Sequence, residues 1–402
     1  MGRELPPKYV IKILSRLENR GFSAYMVGGC VRDMIMGRRP HDWDICSSAL
    51  PDELISVFPR SRPTGIKHGT VTVKMSGSSA EITTFRSDGE YKDHRRPEAV
   101  QFLSGLKGDL ERRDFTVNAL ALSRSGELCD LFGGREDIGN RLIRCVGEPD
   151  RRFNEDALRM LRAFRFSAVL GFEIEPDTLA AIRRNAPLSA FLAKERIRDE
   201  LEKILLSDSP QTISHVIEFG LIDDLIDNAS ACPELLSLKR LPKNRALRWA
   251  ALCALLLNSG VIKDAAGFLS TLRLDSASIH SCSLGAKLAL EHEPADALSW
   301  KKLLAENGAE IASCTAAACD ALHGSGHRAL LRTVIKSGEC WSVKQLAVSG
   351  DDIIGLGFRG TEVGSVLSRL LYHVLEQPSD NEKVQLLNMA RELAAAQGKN
   401  QF

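Results

Sequence analysis

The 402-residue chain contains no apolar run approaching the ~20 residues that span a bilayer, so a membrane-embedded protein is not expected. Its first segment, MGRELPPKYVIKILSRLENRGF, is interrupted by charges every few residues and does not have the pattern of a secretory leader. None of the ten cysteines belongs to a C-x-x-C pair, and the nearest two are Cys314 and Cys319. That spacing argues against a zinc site or a disulfide framework, and for scattered thiols in the reducing cytoplasm. Charge of one sign is also missing. The formal net charge is +1, with a slight basic excess before residue 200 and a slight acidic one after it. A strongly basic nucleic-acid binder is excluded, and any RNA contact must come from local stripes. No internal repeat is evident.

What is present is ordinary globular material, 44% hydrophobic and 26% charged, long enough for two or more domains. Residues 8–20 place Tyr9, Ile13, Leu14 and Leu17 near one face of a helix that Gly21 ends. A short apolar strand, Ala24 to Val27, runs into Gly28-Gly29 and a helix to about Met36. Further strands are expected at Trp43–Cys46, Thr70–Met75, Ala80–Phe85 and Ala99–Leu103, with a polar loop over 86–98. After about residue 146 the period changes to helical, with segments near 154–169, 178–185, 195–206, 210–220, 245–257, 327–336, 362–376 and 381–397. The apolar stretch 311–323 also reads as a helix, whose partner the pattern does not identify. A strand-rich first third followed by helices is an α+β fold with segregated parts.

Three groups of residues carry chemistry. The first is Gly28-Gly29-x-x-Arg32-Asp33 followed by Asp42-x-Asp44. Strand, Gly-Gly and helix together suit phosphate: glycine lets backbone N–H groups come close, and Arg32 can fork onto the oxygens. Asp42 and Asp44, two apart on an expected strand, would present both carboxylates on one face, about 7 Å apart. An isolated D-x-D is usually a solvated surface pair. After this turn, oxygen-rich and sulfur-free, it points to Mg²⁺. Glu81, on a later strand, supplies a third carboxylate, and such a trio suits metal-assisted nucleotidyl transfer. The second group is RRDFTVNA, residues 112–119, in which Arg113 would neutralise phosphate charge and Asn118 would reach a ribose hydroxyl. A charged helix start explains it equally well.

The third group is EDALRMLRAFRF, residues 155–166. Leu158, Leu161, Phe164 and Phe166 form a common apolar side. Asp156 and Arg159, at i and i+3, are neighbours on a helix surface, which by itself means only a weak ion pair. The sharper reading comes from base chemistry. Cytosine and adenine each show an amine donor beside a ring-nitrogen acceptor, whereas uracil and guanine show the reverse. A carboxylate beside a guanidinium complements the first pair and mismatches the second. Arg162 could assist from the next turn; Arg165 lies about half a turn of azimuth away.

GGCVRD, HDWDI, EITTFR, RRDFTVNA, DLFGGREDI, EDALRMLRAFRF and ERIRDEL occur in one order over residues 23–206. Together they resemble the class II (bacterial-type) tRNA nucleotidyltransferase and poly(A) polymerase family. Val348–Ile354, Gly360-x-x-x-Gly364 and Asn381 resemble the tail of its CCA-adding branch, although Arg359-Gly360 stands where Pro-Gly is usual. The resemblance implies a nucleotidyltransferase head over 1–146, a helical neck with the base template over 147–210, a body over 211–330 and a tRNA-binding tail over 331–402. It implies Gly29, Arg32 and Arg113 at the nucleotide, where the motif chemistry also puts Gly28 and Asn118, with Asp42 and Asp44 as Mg²⁺ ligands and Glu81 as an accessory carboxylate. Asp156, Arg159, Arg162 and Arg165 become the protein template. CTP and ATP would be the substrates and the tRNA 3′ end the acceptor, in the cytoplasm, with a homodimer left open. Arg248–Leu255 lacks a His-Asp pair, so no phosphohydrolase activity is expected.

The same head serves A-adding and CC-adding enzymes. The full-length loop Arg86–Pro97 favours one able to finish with A. Poly(A) polymerases resemble longer chains with a basic extension. A catalytically dead tRNA-binding relative is the reading from a different class, and the intact D-x-D argues against it.

Overall fold

The computed structural model describes residues 5–65, 69–75, 77–88, 100–231, 233–324 and 326–396. The expected loop therefore lies mostly outside the described residues. The chain divides into two compact units, Met1–Asp224 and Leu225–Phe402.

The first unit opens with α1 (Lys8–Glu18), whose Val10, Ile13, Leu14 and Leu17 are fully buried. Nine strands follow in two sheets: β1 (Ala24–Val27), β2 (Asp44–Ser47), β3 (Ser61–Gly65), β4 (Thr70–Met75), β5 (Ser78–Thr84), β6 (Arg86–Asp88), β7 (Val100–Phe102), β8 (Leu120–Leu122) and β9 (Leu128–Asp130). Seven of them form a mixed sheet in the order β3-β4-β5-β2-β1-β8-β9, and β6 pairs with β7 separately. Only β2 and β5 run parallel in the large sheet; its other neighbours are antiparallel. Alternation explains which face is wet. In β5 Ala80, Ile82 and Thr84 are buried while Ser79 and Glu81 are exposed, and Val71 and Val73 of β4 point inward. Val27, Cys46, Phe85, Leu110 and Ala121 close the core behind the sheet.

Between the strands lie α2 (Gly29–Ile35), α3 (Pro51–Val57) and α4 (Leu106–Glu111), and after them α5 (Gly134–Asn140). The helical stretch of this unit comprises α6 (Pro149–Glu155), α7 (Leu158–Leu170), α8 (Pro176–Asn185), α9 (Lys194–Leu205) and α10 (Ile213–Glu218). Helix α7 packs on α9, and α6 on α8. A parallel pair, β10 (Leu142–Ile143) and β11 (Glu173–Ile174), ties this region together, and β11 lies where helical signal was expected.

One expectation needs correction. Residues 154–169 are not one helix. Asp156 has extended backbone (φ −143, ψ 102), which separates α6 from α7. No Pro or Gly marks the break, and the apolar period runs straight through it. The side chain of Asp156 instead accepts from the Leu158 N–H (3.1 Å), starting the next helix as a capping acid does.

The second unit is helical: α11 (Arg245–Asn258), α12 (Ala265–Thr271), α13 (Ser276–Glu291), α14 (Ala297–Leu322), α15 (His327–Lys336), α16 (Gly350–Ile354), α17 (Thr361–Glu376) and α18 (Lys383–Ala396). The apolar stretch 311–323 finds its partners here, since α14 packs on α11, α13 and α15. Helix α14 is interrupted at Gly308 (φ 78, ψ 172), a conformation essentially confined to glycine. Leu298 and Ala305, before the break, pack toward the core of α17 and α18, whereas Ala312 and Ala316, after it, pack toward α15. Among the described residues no helix is long and apolar enough to cross a membrane.

Candidate active site

All twelve residues singled out from the sequence fall in the first unit. The acidic part is built by register. In the parallel pair β2–β5, Asp44 lies opposite Glu81 and Ile45 opposite Ile82. The isoleucines are buried, so both acids stand on the solvent face of neighbouring strands, about 4.8 Å apart in the pairing direction. Asp42 is not in the strand, which starts only at Asp44; it occupies a bend. Trp43 between them is buried, which turns both flanking carboxylates outward.

These acids repel one another. The Asp44 carboxyl is held above the ordinary carboxylate range, first by desolvation and then by the nearby charges of Glu81 and Asp42, with Arg113 opposing. Among the described residues no ion pair is formed by Asp42, Asp44 or Glu81, and no three acidic, His or Cys side chains converge into a closed metal cage. An open, mutually repelling pair fits a hard cation that completes its shell with water and phosphate oxygens.

Gly28 ends β1 with φ 77 and ψ −133. Its N–H donates to the Leu120 carbonyl (3.0 Å), so it holds the turn to β8, and Gly29 opens α2. A Cβ on Gly28 would lie 2.8 Å from Nη1 of Arg113. Arg113 thus lies against the turn and also acts on the Asp44 carboxylate. Its Nη2 reaches fully buried Asp109 at 3.3 Å, while its Nε, shielded from solvent, has no acceptor among the described residues. An unmatched buried donor is a group that an incoming phosphate oxygen could satisfy.

Arg32 is buried and largely engaged. Nε and Nη2 donate to Asp33 Oδ1 (2.9 and 2.7 Å), and Nη1 donates to Asn118 Oδ1 (2.7 Å). Nη2 lies 3.5 Å from where a Gly29 Cβ would sit. Asn118 in turn donates to Asp114 Oδ1 (3.2 Å). Both ends of its amide are therefore engaged within the protein. This makes Asn118 a brace for Arg32.

The expected couple between Asp156 and Arg159 is not formed. Because Asp156 is extended rather than helical, the i, i+3 geometry does not apply. Its carboxylate is held by both terminal nitrogens of Arg196 on α9, at 3.2 and 2.9 Å. Arg159 turns to Glu155 (2.9 Å) and to the carbonyls of Arg152 (3.3 Å) and Arg112 (2.9 Å). Arg152 and Arg159 outweigh burial and hold the Glu155 carboxyl below its usual range. Arg162 donates from Nε (2.8 Å) and Nη2 to Asp114, and Arg165 pairs with Glu200 on α9. Burial raises the Asp114 pKa, but Arg162, Asn118 and the Phe115 N–H outweigh it and hold the carboxyl at about 2. Arg196, Glu155, Asp114 and Glu200 all lie within the sequence motifs, but the motifs do not show what they hold. Arg196, Asp114 and Glu200 find partners 40, 48 and 35 residues away, which a linear pattern does not reveal, whereas Glu155 pairs locally with Arg152 and Arg159.

A sheet with an exposed acid pair, a Gly-Gly turn and converging arginines defines a nucleotidyltransferase head. Residues 24–144 match the family model described as the poly A polymerase head domain, and 171–235 match the probable RNA and SrmB-binding site of polymerase A. The chain is 38% identical to the CCA-adding enzyme of Geobacillus kaustophilus over 98% of its own length and 99% of the relative's. It is equally similar to the CCA-adding enzyme of Limosilactobacillus fermentum, over 96% of each chain. The crystal structure of Bacillus stearothermophilus CCA-adding enzyme in complex with CTP superposes with a TM-score of 0.82 at 32% identity, covering 99% of this chain and 100% of that one. The chain belongs to the CCA-adding enzyme family of tRNA nucleotidyltransferases. Nucleotidyl transfer in this family is divalent-metal dependent.

Proposed function

We propose that this chain adds CMP and AMP, taken from CTP and ATP, to the 3′ end of tRNA in the cytoplasm, rebuilding CCA without a nucleic-acid template and using Mg²⁺. The observation that carries the reading is the β2–β5 register, which pairs Asp44 with Glu81 beside the turn that Arg113 touches. Head 1–146, neck 147–210, body 211–330 and tail 331–402 belong to the same reading.

Arg113 and Arg32 neutralise the triphosphate at the Gly28-Gly29 turn, with Asp33 and Asn118 fixing the Arg32 plane. Magnesium held by Asp42 and Asp44 would supply hydroxyl activation and charge stabilisation for displacement of pyrophosphate. Glu81 adds negative potential at the mouth of this pair. Asp156 and Arg159 read the base edge. In the nucleotide-free chain each already has a partner, Arg196 for one and Glu155 for the other. Reading a base then means that Arg159 exchanges Glu155 for the ring-nitrogen acceptor while Asp156, still braced by Arg196, accepts from the exocyclic amine. Uracil and guanine offer the reverse pattern and leave both groups mismatched.

The test is incubation with Mg²⁺, tRNA lacking its CCA end, and each labelled nucleoside triphosphate separately. Incorporation of C, then A once C is in place, is expected. Addition of A only to tRNA ending in CC would narrow the activity to the last step, and tRNA binding without incorporation would refute it.

A further inference from the structure

On the apolar side of α7, Phe166 has charged as well as aromatic neighbours. Phe166 is 6% exposed, and Phe115 meets its ring edge-on at 5.7 Å and 79°. Three guanidinium carbons also lie over the ring, those of Arg165 at 3.7 Å, Arg162 at 5.4 Å and Arg32 at 5.5 Å. Each arginine has its own carboxylate at the edge of its plane, namely Glu200, Asp114 and Asp33. Carboxylates saturate the N–H edges of a guanidinium but leave its faces bare. The Arg32 and Arg165 side chains keep only 10% and 13% of their exposure, and a face so shielded needs a partner that tolerates positive charge without accepting a hydrogen bond. An aromatic ring does this through the negative potential above its plane, and an aliphatic side chain of equal size does not.

The arginines come from different places. Arg32 belongs to α2, directly behind the Gly28-Gly29 turn, while Arg162 and Arg165 belong to α7 with Phe166 itself. We infer that Phe166 is a positioning residue of the nucleotide site: its ring face orients the Arg32 guanidinium behind the phosphate turn and holds it in register with the arginines of α7. Phe166 does not contact substrate, and a simple packing residue of the same size would not serve. This rests on the reading that the turn takes a nucleoside triphosphate.

Stepwise fluorination of the ring at position 166 drains its negative face with little change of shape. The full-length chain carrying mono-, di- or trifluorophenylalanine there should bind CTP and ATP progressively more weakly in Mg²⁺ without RNA, measured by calorimetry. Phe166→Leu should weaken both by a similar factor, roughly 5- to 30-fold, because the affected contact concerns the shared triphosphate and not the base. Phe166→Tyr keeps the face and should stay close to wild type. A flat response along the fluorine series overturns the inference, as does Tyr failing as badly as Leu. A loss confined to one of the two nucleotides also overturns it, because the effect would then lie at the base. Failure of the wild-type chain to incorporate CMP or AMP would instead sink the functional reading, whatever the fluorine series shows.

Discussion

Arg196 is the most informative position to perturb. Its two terminal nitrogens take the two oxygens of Asp156, and the side chains keep 26% and 18% of their exposure. Such a fork, partly solvated, contributes at most about 1 kcal/mol to stability, but its two parallel bonds fix the plane of the carboxylate. Among the described residues, Arg196→Ala leaves Asp156 with the Leu158 N–H at 3.1 Å and frees the carboxylate to swing. A bidentate base contact discriminates by about 1–3 kcal/mol, so losing its alignment should reduce selectivity roughly tenfold. The assay is single-nucleotide addition to tRNA ending before the CCA and to tRNA ending in CC, with each of the four triphosphates. We expect kcat/KM for CTP over UTP, and for ATP over GTP, to fall about tenfold in Arg196→Ala. Arg196→Lys should fall between, since it keeps the charge but loses the fork. Because the pair is partly exposed, unfolding stability should change by less than about 1 kcal/mol. Wild-type selectivity in Arg196→Ala would refute the reasoning.

Asp114→Asn should cost about 2 kcal/mol at pH 7, from a carboxyl held at about 2 rather than 3.8. A depressed carboxyl stabilises above its unfolded pKa, so the gap between wild type and variant should shrink below pH 4 and close near pH 2, as read by denaturant titration. Asp44 is shifted the other way, so its folded-state charge is unfavourable and is suffered increasingly as pH rises through and above the ordinary carboxylate range. Asp44→Asn should therefore raise the melting temperature at neutral pH without metal and abolish most of the stabilisation that Mg²⁺ gives the wild type; unchanged Mg²⁺ stabilisation would contradict the ligand role. Gly28→Ala adds a left-handed strain of about 1–3 kcal/mol and a Cβ 2.8 Å from Arg113, so calorimetry should show weaker binding of both CTP and ATP.

Much of the head could be read from the sequence because its signals are local. Thr70–Met75 alternates cleanly and is a strand, and Gly28-Gly29 forms the expected turn between strand and helix. Ser61–Gly65 was not expected to be a strand, since SRPTG has no alternation and contains Pro and Gly; its place at the sheet edge tolerates both. Asp42 and Asp44 could be found as a pair, but the partnership of Asp44 with Glu81 depends on which strands adjoin, which the spacing does not state. The break at Asp156 was hidden by an apolar period that continues across it. Arg196, 40 residues away, holds that carboxylate, and no local pattern encodes such a pair. The interruption of α14 had a local sign, the turn-forming dipeptide Asn307-Gly308, inside an otherwise helical stretch.

The parallel alignment of β2 with β5 also limits how this chain could change in length. Strand side chains alternate with a strict period of two, so one residue inserted or deleted between Ser78 and Glu81 would turn Glu81 into the core and Ile82 toward water. The error would be doubly costly, placing a carboxylate among aliphatic groups and removing it from Asp44. Growth or shrinkage is harmless only where the chain leaves the ladder, so evolution or design can vary this head at its turns but must keep count within this strand.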